Sequence, residues 1–220
     1  MASGVGSLIY LEKDRLFFYN NGKKVFKLDF TPQIVRDLEI LNEDGLISLI
    51  FQFIDSIKAT PSRFLIVLSE SVLFSSDTKE RDLAKIEAEF QSFIDLVPFD
   101  NVLSKKYQTE GVIRMLATNA DLINAISDSF QQRGFVNDGV IPAVVFGQYG
   151  VRRGLDLDTA NYMLKSQQLA KNKAMGKISF QPKRKSVFKV TTGKSTMLPY
   201  LIGGFAIVLV GLLVLIFLTR

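Results

Sequence analysis

This chain has neither histidine nor cysteine with which to do chemistry. That removes the usual zinc ligands, the usual general base near neutral pH and the usual activated nucleophile. Gly193-Lys194-Ser195-Thr196 copies the end of a phosphate-binding P-loop, but Phe188 stands where that loop needs its first glycine, and an apolar run follows at once. Gly4-Val5-Gly6 is too short for a dinucleotide fingerprint. The acids Glu80, Glu87 and Glu89 stand beside Arg81 and Lys85, a pattern that a solvated helix face explains without catalysis. The residues therefore predict no catalytic side chain, no cofactor and no metal.

What the chain offers is binding surface. Residues 197–218 form a 22-residue stretch with no charged side chain and only Tyr200 markedly polar. At about 1.5 Å per helical residue it is long enough to cross a hydrocarbon layer of roughly 30 Å. Before it, residues 159–196 carry nine basic side chains and no acid, among them Lys183, Arg184, Lys185, Lys189 and Lys194. These five are the predicted contacts with anionic membrane lipids, each worth about 1 kcal/mol near the surface. The positive-inside rule then keeps the N-terminal bulk in the cytoplasm, on a single-pass anchor in the inner membrane. Gly204 and Gly211, seven apart, share one face of the expected helix and would let a second helix approach, which makes a homo-oligomer possible.

Residues 1–158, in contrast, hold 17 basic against 22 acidic side chains, a net of −5, so the overall +5 is confined to the C-terminal part. Nucleic-acid binding would want stacking aromatics among the basic residues, and only Phe180 and Phe188 are there, so no nucleic acid is expected. Glu12, Lys13, Asp14 and Arg15 fall where a signal peptide needs an apolar core.

The elements that must position any binding face follow from periodicity. Residues 8–10, 16–19 and 24–30 are short aromatic and branched runs that suit strands, with Asn21-Gly22 as a two-residue hairpin turn. From Asp44 as N-cap, Leu46, Leu49, Ile50, Phe53, Ile54 and Ile57 keep helical spacing. Residues 64–68 read as a strand buried on both faces. A helix capped by Asp77 or Thr78 carries Leu83, Ile86, Phe90, Phe93 and Val97 and ends before Pro98. A strand over 112–117, a helix from Asn119 to Arg133 stopped by Gly134, and a last strand over 141–146 complete the series. A meander followed by alternating strands and helices predicts an α/β domain over 1–158 with a mixed sheet, then a basic linker over 159–196 and a transmembrane helix over 197–218.

Three phrases carry a resemblance. They are FLIVLSESVLF at 64–74, the Leu96-Val97-Pro98-Phe99 that closes the acidic helix, and the strand, Ala-containing turn, helix and glycine of 113–134. In them the chain resembles the actin-like assembly proteins of type IV pili, the PilM-type family, over about residues 8–150. The resemblance implies half of an actin-like (RNase H-like) fold. A full actin-like protein has two lobes and a glycine-containing phosphate loop near its start. Here that turn reads Glu12-Lys13-Asp14-Arg15, and no room for a second lobe precedes the apolar run, so no nucleotide site is expected. The phrase Lys177-Ile178-Ser179-Phe180-Gln181-Pro182 is similar to the membrane-proximal peptide of the PilN-type partner, which docks in a groove of the actin-like protein. Ile178, Phe180 and Pro182 are the anchors that this second resemblance implies; the alternative is a linker whose apolar side chains touch only lipid head groups.

Three functions remain open from sequence. The first is a non-catalytic, membrane-anchored scaffold of a type IV pilus or related secretion platform, binding platform proteins and lipids. The others are an unrelated tail-anchored α/β adaptor and a degenerate actin-like ATPase.

Overall fold

The structure is a computed structural model, and it describes residues 6–20, 24–109, 111–149, 154–166 and 172–175. The chain opens with three strands, β1 (Ser7–Glu12), β2 (Arg15–Asn20) and β3 (Val25–Asp29). They form the expected meander, because runs such as LIYL and LFFY pair best with like neighbours on a pleated surface. Tyr19 pairs with Val25, leaving five residues between the last paired positions. A two-residue turn leaves an even number, so this register corrects the two-residue hairpin expected at Asn21-Gly22, residues that themselves lie outside those described.

A short hairpin, β4 (Val35–Arg36) and β5 (Glu39–Ile40), leads to α1 (Glu43–Ser56). The cap of α1 is Asn42, whose side chain accepts from the Gly45 N–H at 2.9 Å, and not Asp44, which lies inside the first turn. Next come β6 (Arg63–Leu68), a 3₁₀ turn over Glu70–Val72 and β7 (Phe74–Thr78). The predicted helix cap at Asp77 or Thr78 is thus the end of a strand; the helix, α2 (Leu83–Asp95), is capped by Asp82. β8 (Val102–Thr109) and β9 (Val112–Asn119) make a hairpin, followed by α3 (Ala120–Gln132), which lies within the helix expected over Asn119 to Arg133 and is capped by Asn119. The last strand, β10, is Val136–Pro142 and not 141–146; residues Ala143–Tyr149 turn into 3₁₀ conformation after the proline, which ends the ladder. The final helix, α4 (Leu157–Lys165), begins at the boundary drawn from charge.

The central sheet runs β10-β6-β1-β2-β3. β1, β6 and β10 are parallel neighbours and β2 is antiparallel to β1 and β3, so the fold is a mixed α/β sheet with helices against it. Side chains alternate between two cores. Ile9, Leu11, Phe64, Ile66 and Leu68 face α1 and α3, meeting Ile50, Phe53, Ile126 and Phe130. Leu8, Tyr10, Leu65 and Val67 face the opposite way and are covered by Leu155, Ala160, Met163 and Leu164. Burial on both sides is why β6 reads as an unbroken apolar run.

The second sheet, β7-β9-β8, is antiparallel and is inserted between β6 and α3. It is tied back by the Thr118 hydroxyl, which donates to the Val72 carbonyl at 2.7 Å, and by Asn119 Nδ2, which donates to the Leu38 carbonyl at 3.0 Å. The folded unit extends past residue 158: α4 packs on the central sheet and Met175 is buried in the α1/α3 core. The boundary at 158 therefore cuts through the domain, because packing follows Ala160, Met163 and Leu164 and not the point where acidic residues stop.

Candidate interaction groove

β8 places Lys105 and Tyr107 on one face, two residues apart. Across the ladder Tyr107 stands opposite Arg114 on β9, and Arg114 opposite Asp77 on β7. Arg114 Nε and Nη2 each donate to a carboxylate oxygen of Asp77 at 2.9 Å. This two-pronged bond holds the Asp77 carboxyl below the usual carboxylate range. Tyr107 is buried, and burial pushes its phenol above the ordinary value.

Facing this row is a piece of the chain's own C-terminal part. Residues 172–175 lie between β8 and the edge strand β10 and are held through their backbone. The Tyr107 hydroxyl donates to the Lys173 carbonyl at 2.7 Å and Lys105 Nζ donates to the Ala174 carbonyl at 2.6 Å. The Met175 N–H donates to the Val140 carbonyl of β10 at 2.7 Å. Two of these bonds go to peptide carbonyls and the third comes from a peptide N–H, so the groove holds the strap by its main chain, although residues 172–175 add no strand to β10. Met175 also buries its side chain in the core that holds Val140, and Ala174 packs against the opposite core.

A cavity of about 250 Å³ adjoins this strap. Lys105, Tyr107 and Arg114 line it from the inserted sheet, Val144 and Val145 from the segment after β10, and Lys173 from the strap.

At the β1–β2 turn, where the resemblance would put a phosphate loop, the chain's own groups occupy the polar positions. The Lys13 N–H donates to Ser71 Oγ at 3.1 Å, and Glu12 Oε1 accepts from the Gly154 N–H at 2.6 Å. Arg15 bonds both oxygens of Asp14 at 2.9 and 2.8 Å, and Lys13 Nζ lies 2.7 Å from Asp37. The Arg15 and Lys13 bonds hold the Asp14 and Asp37 carboxyls low.

Of the residues singled out by sequence, Ile178, Phe180 and Pro182, the basic set Lys183, Arg184, Lys185, Lys189 and Lys194, and Gly204 and Gly211 all lie outside the described residues. So does the apolar stretch 197–218; among the described residues no helix is long and apolar enough to cross a membrane. Sequence reasoning missed Lys105, Tyr107 and Met175. The available signal was the alternation through Leu103, Lys105 and Tyr107, followed by Gly111, whose φ of 77° closes the two-residue turn into β9.

No family model matches this chain, and no curated protein matches it. Among solved structures it is similar to a PilM–PilN type IV pilus biogenesis complex, at 13% identity and a TM-score of 0.45, covering 66% of this chain and 49% of that one. It is also similar to the cytoplasmic domain of EpsL, an inner membrane component of the type II secretion system of Vibrio cholerae. There the identity is 12% and the TM-score 0.39, with 64% and 58% covered. The chain thus spans about half the length of the solved proteins it matches.

Proposed function

We propose that this protein is a non-catalytic scaffold, anchored in the inner membrane by residues 197–218, whose cytoplasmic half-actin domain gathers extended peptides of a type IV pilus or related secretion platform. The observation that carries this reading is the strap: a main-chain-reading groove between two sheets, already holding residues 172–175. The lack of histidine and cysteine supports a binding role over chemistry. Ile178 is the third residue after Met175, and three residues of chain span at most about 11 Å. The anchors Ile178, Phe180 and Pro182 are therefore within reach of the groove in cis, which favours intramolecular docking of the linker over docking in a neighbour. The nine basic residues of 159–196 and the apolar run after them support a position at the cytoplasmic membrane surface.

Two measurements on the intact chain in a pilus-building bacterium test this. The chain is expected in the membrane pellet after high-speed centrifugation, released by detergent but not by alkaline carbonate. A photo-reactive residue in place of Gln108, which lines the cavity beside the strap, is expected to cross-link a platform protein. Recovery of the intact chain in the detergent-free supernatant would sink the anchoring claim, and cross-links to soluble metabolic proteins alone would sink the platform claim.

A further inference from the structure

The charges around the cavity do not balance. Arg114 is matched by Asp77, and Lys106, at the cavity margin, is matched by Glu87 and stacked 4.7 Å over the Phe90 ring. Lys105 has neutral partners, the Ala174 carbonyl and, 5.7 Å away, the Tyr107 ring, and among the described residues no carboxylate pairs with Lys105 or Lys173. An ammonium carries three donors and a guanidinium five, so Lys105 keeps two unspent and Arg114 three after its two bonds to Asp77. Two uncompensated positive charges thus meet at a partly buried cavity, in a domain that is net negative over residues 1–158. Lys105 is half-buried and Lys173 exposed, and two like charges beside one cavity attract an anion through their summed field, an attraction that salt screens.

The size of the cavity limits the ligand. About 250 Å³ is below the range of roughly 300–1,000 Å³ typical of sites for whole small molecules. It suits one or two side chains of a larger ligand, with Val144 and Val145 as an apolar wall for methylene groups. The adjoining groove already reads peptide main chain. We propose that the cavity bounded by Lys105, Arg114, Lys173 and the Val144-Val145 wall is an acidic-peptide subsite, which seats a Glu or Asp side chain of a partner's extended segment beside the strap. The proposal rests on the groove reading above, but not on the membrane setting.

The test uses the full chain in detergent at low ionic strength, with end-blocked, fluorescein-labelled hexaglutamate as probe and hexaglutamine as the uncharged control. Lys173→Glu reverses one cavity charge while leaving the carbonyl that Tyr107 bonds. Lys105→Met removes the other charge. Lys24→Glu, an exposed residue just before β3 at the opposite edge of the central sheet from β10, makes the same charge change elsewhere. Both cavity variants are expected to weaken hexaglutamate binding about fivefold at this low ionic strength, with Lys24→Glu within twofold of wild type. Equal binding by all four proteins would locate the interaction on the basic linker and overturn the proposal. Displacement of the probe by inorganic phosphate at equal concentration would also overturn it, assigning the cavity to a bare oxyanion in place of a peptide. Membrane fractionation of these variants is independent of either result, so a failure here is distinguishable from a failure of anchoring.

Discussion

Two of the three tyrosines buried among the described residues, Tyr10 and Tyr107, dominate the residue scale. Tyr10 is almost fully enclosed; burial first, then the charges of Glu12 and Glu70, push its pKa up to about 12, while burial alone raises that of Tyr107. A phenol whose folded pKa exceeds its unfolded value near 10 contributes stability that is complete below pH 10 and lost as pH rises through the folded value. Alkaline pH should therefore unfold the domain in step with ionisation of these two residues. Absorbance at 295 nm is expected to keep rising up to about pH 12 in parallel with loss of the circular-dichroism signal, with Tyr10→Phe and Tyr107→Phe each removing part of the late rise. A titration complete near pH 10 with the fold intact would contradict this. The two phenols also mark what was legible. Tyr10 sits in a run so apolar that its strand is obvious, whereas Tyr107 lies among Lys105, Lys106 and Gln108, where only pairing with β9 makes a strand.

Elements with strong periodicity were visible in sequence, and their ends were not. Leu46, Ile50, Phe53 and Ile54 announce α1, yet its cap falls two residues before Asp44, because the Asn42 side chain is the one within reach of the Gly45 amide. β7 reads FSSDT, which resembles a helix start, and becomes a strand only because β9 supplies a ladder for it. Gly45 gives a quantitative test of the cap. A Cβ there would sit 2.8 Å from Asn42 Nδ2, inside normal contact, so alanine must displace the capping side chain. Glycine to alanine inside a helix ordinarily gains about 1 kcal/mol, and losing an Asn cap costs about 1 kcal/mol. Gly45→Ala is therefore expected to be near neutral in the wild type but stabilising by about 1 kcal/mol in an Asn42→Ala background. Chemical denaturation of the four proteins measures that coupling, and simple additivity would show that the cap does not act through Gly45.

For the whole molecule, charge and packing place the domain edge differently. Acidic residues stop at Asp158, which marks a boundary in composition, but the sheet face formed by Leu8, Tyr10, Tyr19, Leu65 and Val67 is closed by residues on the far side of it. Ala160, Met163 and Leu164 cover that face, the Tyr19 hydroxyl donates to Asn161 Oδ1 at 2.7 Å, and Met175 fills the opposite core. No local pattern signalled this, since α4 offers only three buried apolar side chains and its role depends on a sheet built from distant strands. Fully burying a side chain of the size of Met or Leu is worth about 1.5–3 kcal/mol, so losing Met163, Leu164 and Met175 removes about 5–9 kcal/mol as an upper estimate. Whole domains are stable by only about 5–15 kcal/mol. A chain ending at Asp158 should thus be molten or aggregated, while one ending at Gly176 should unfold cooperatively in urea. Equal unfolding midpoints for the two would mean that neither α4 nor the strap belongs to the folded unit, and the groove would then lose the wall that the strap provides.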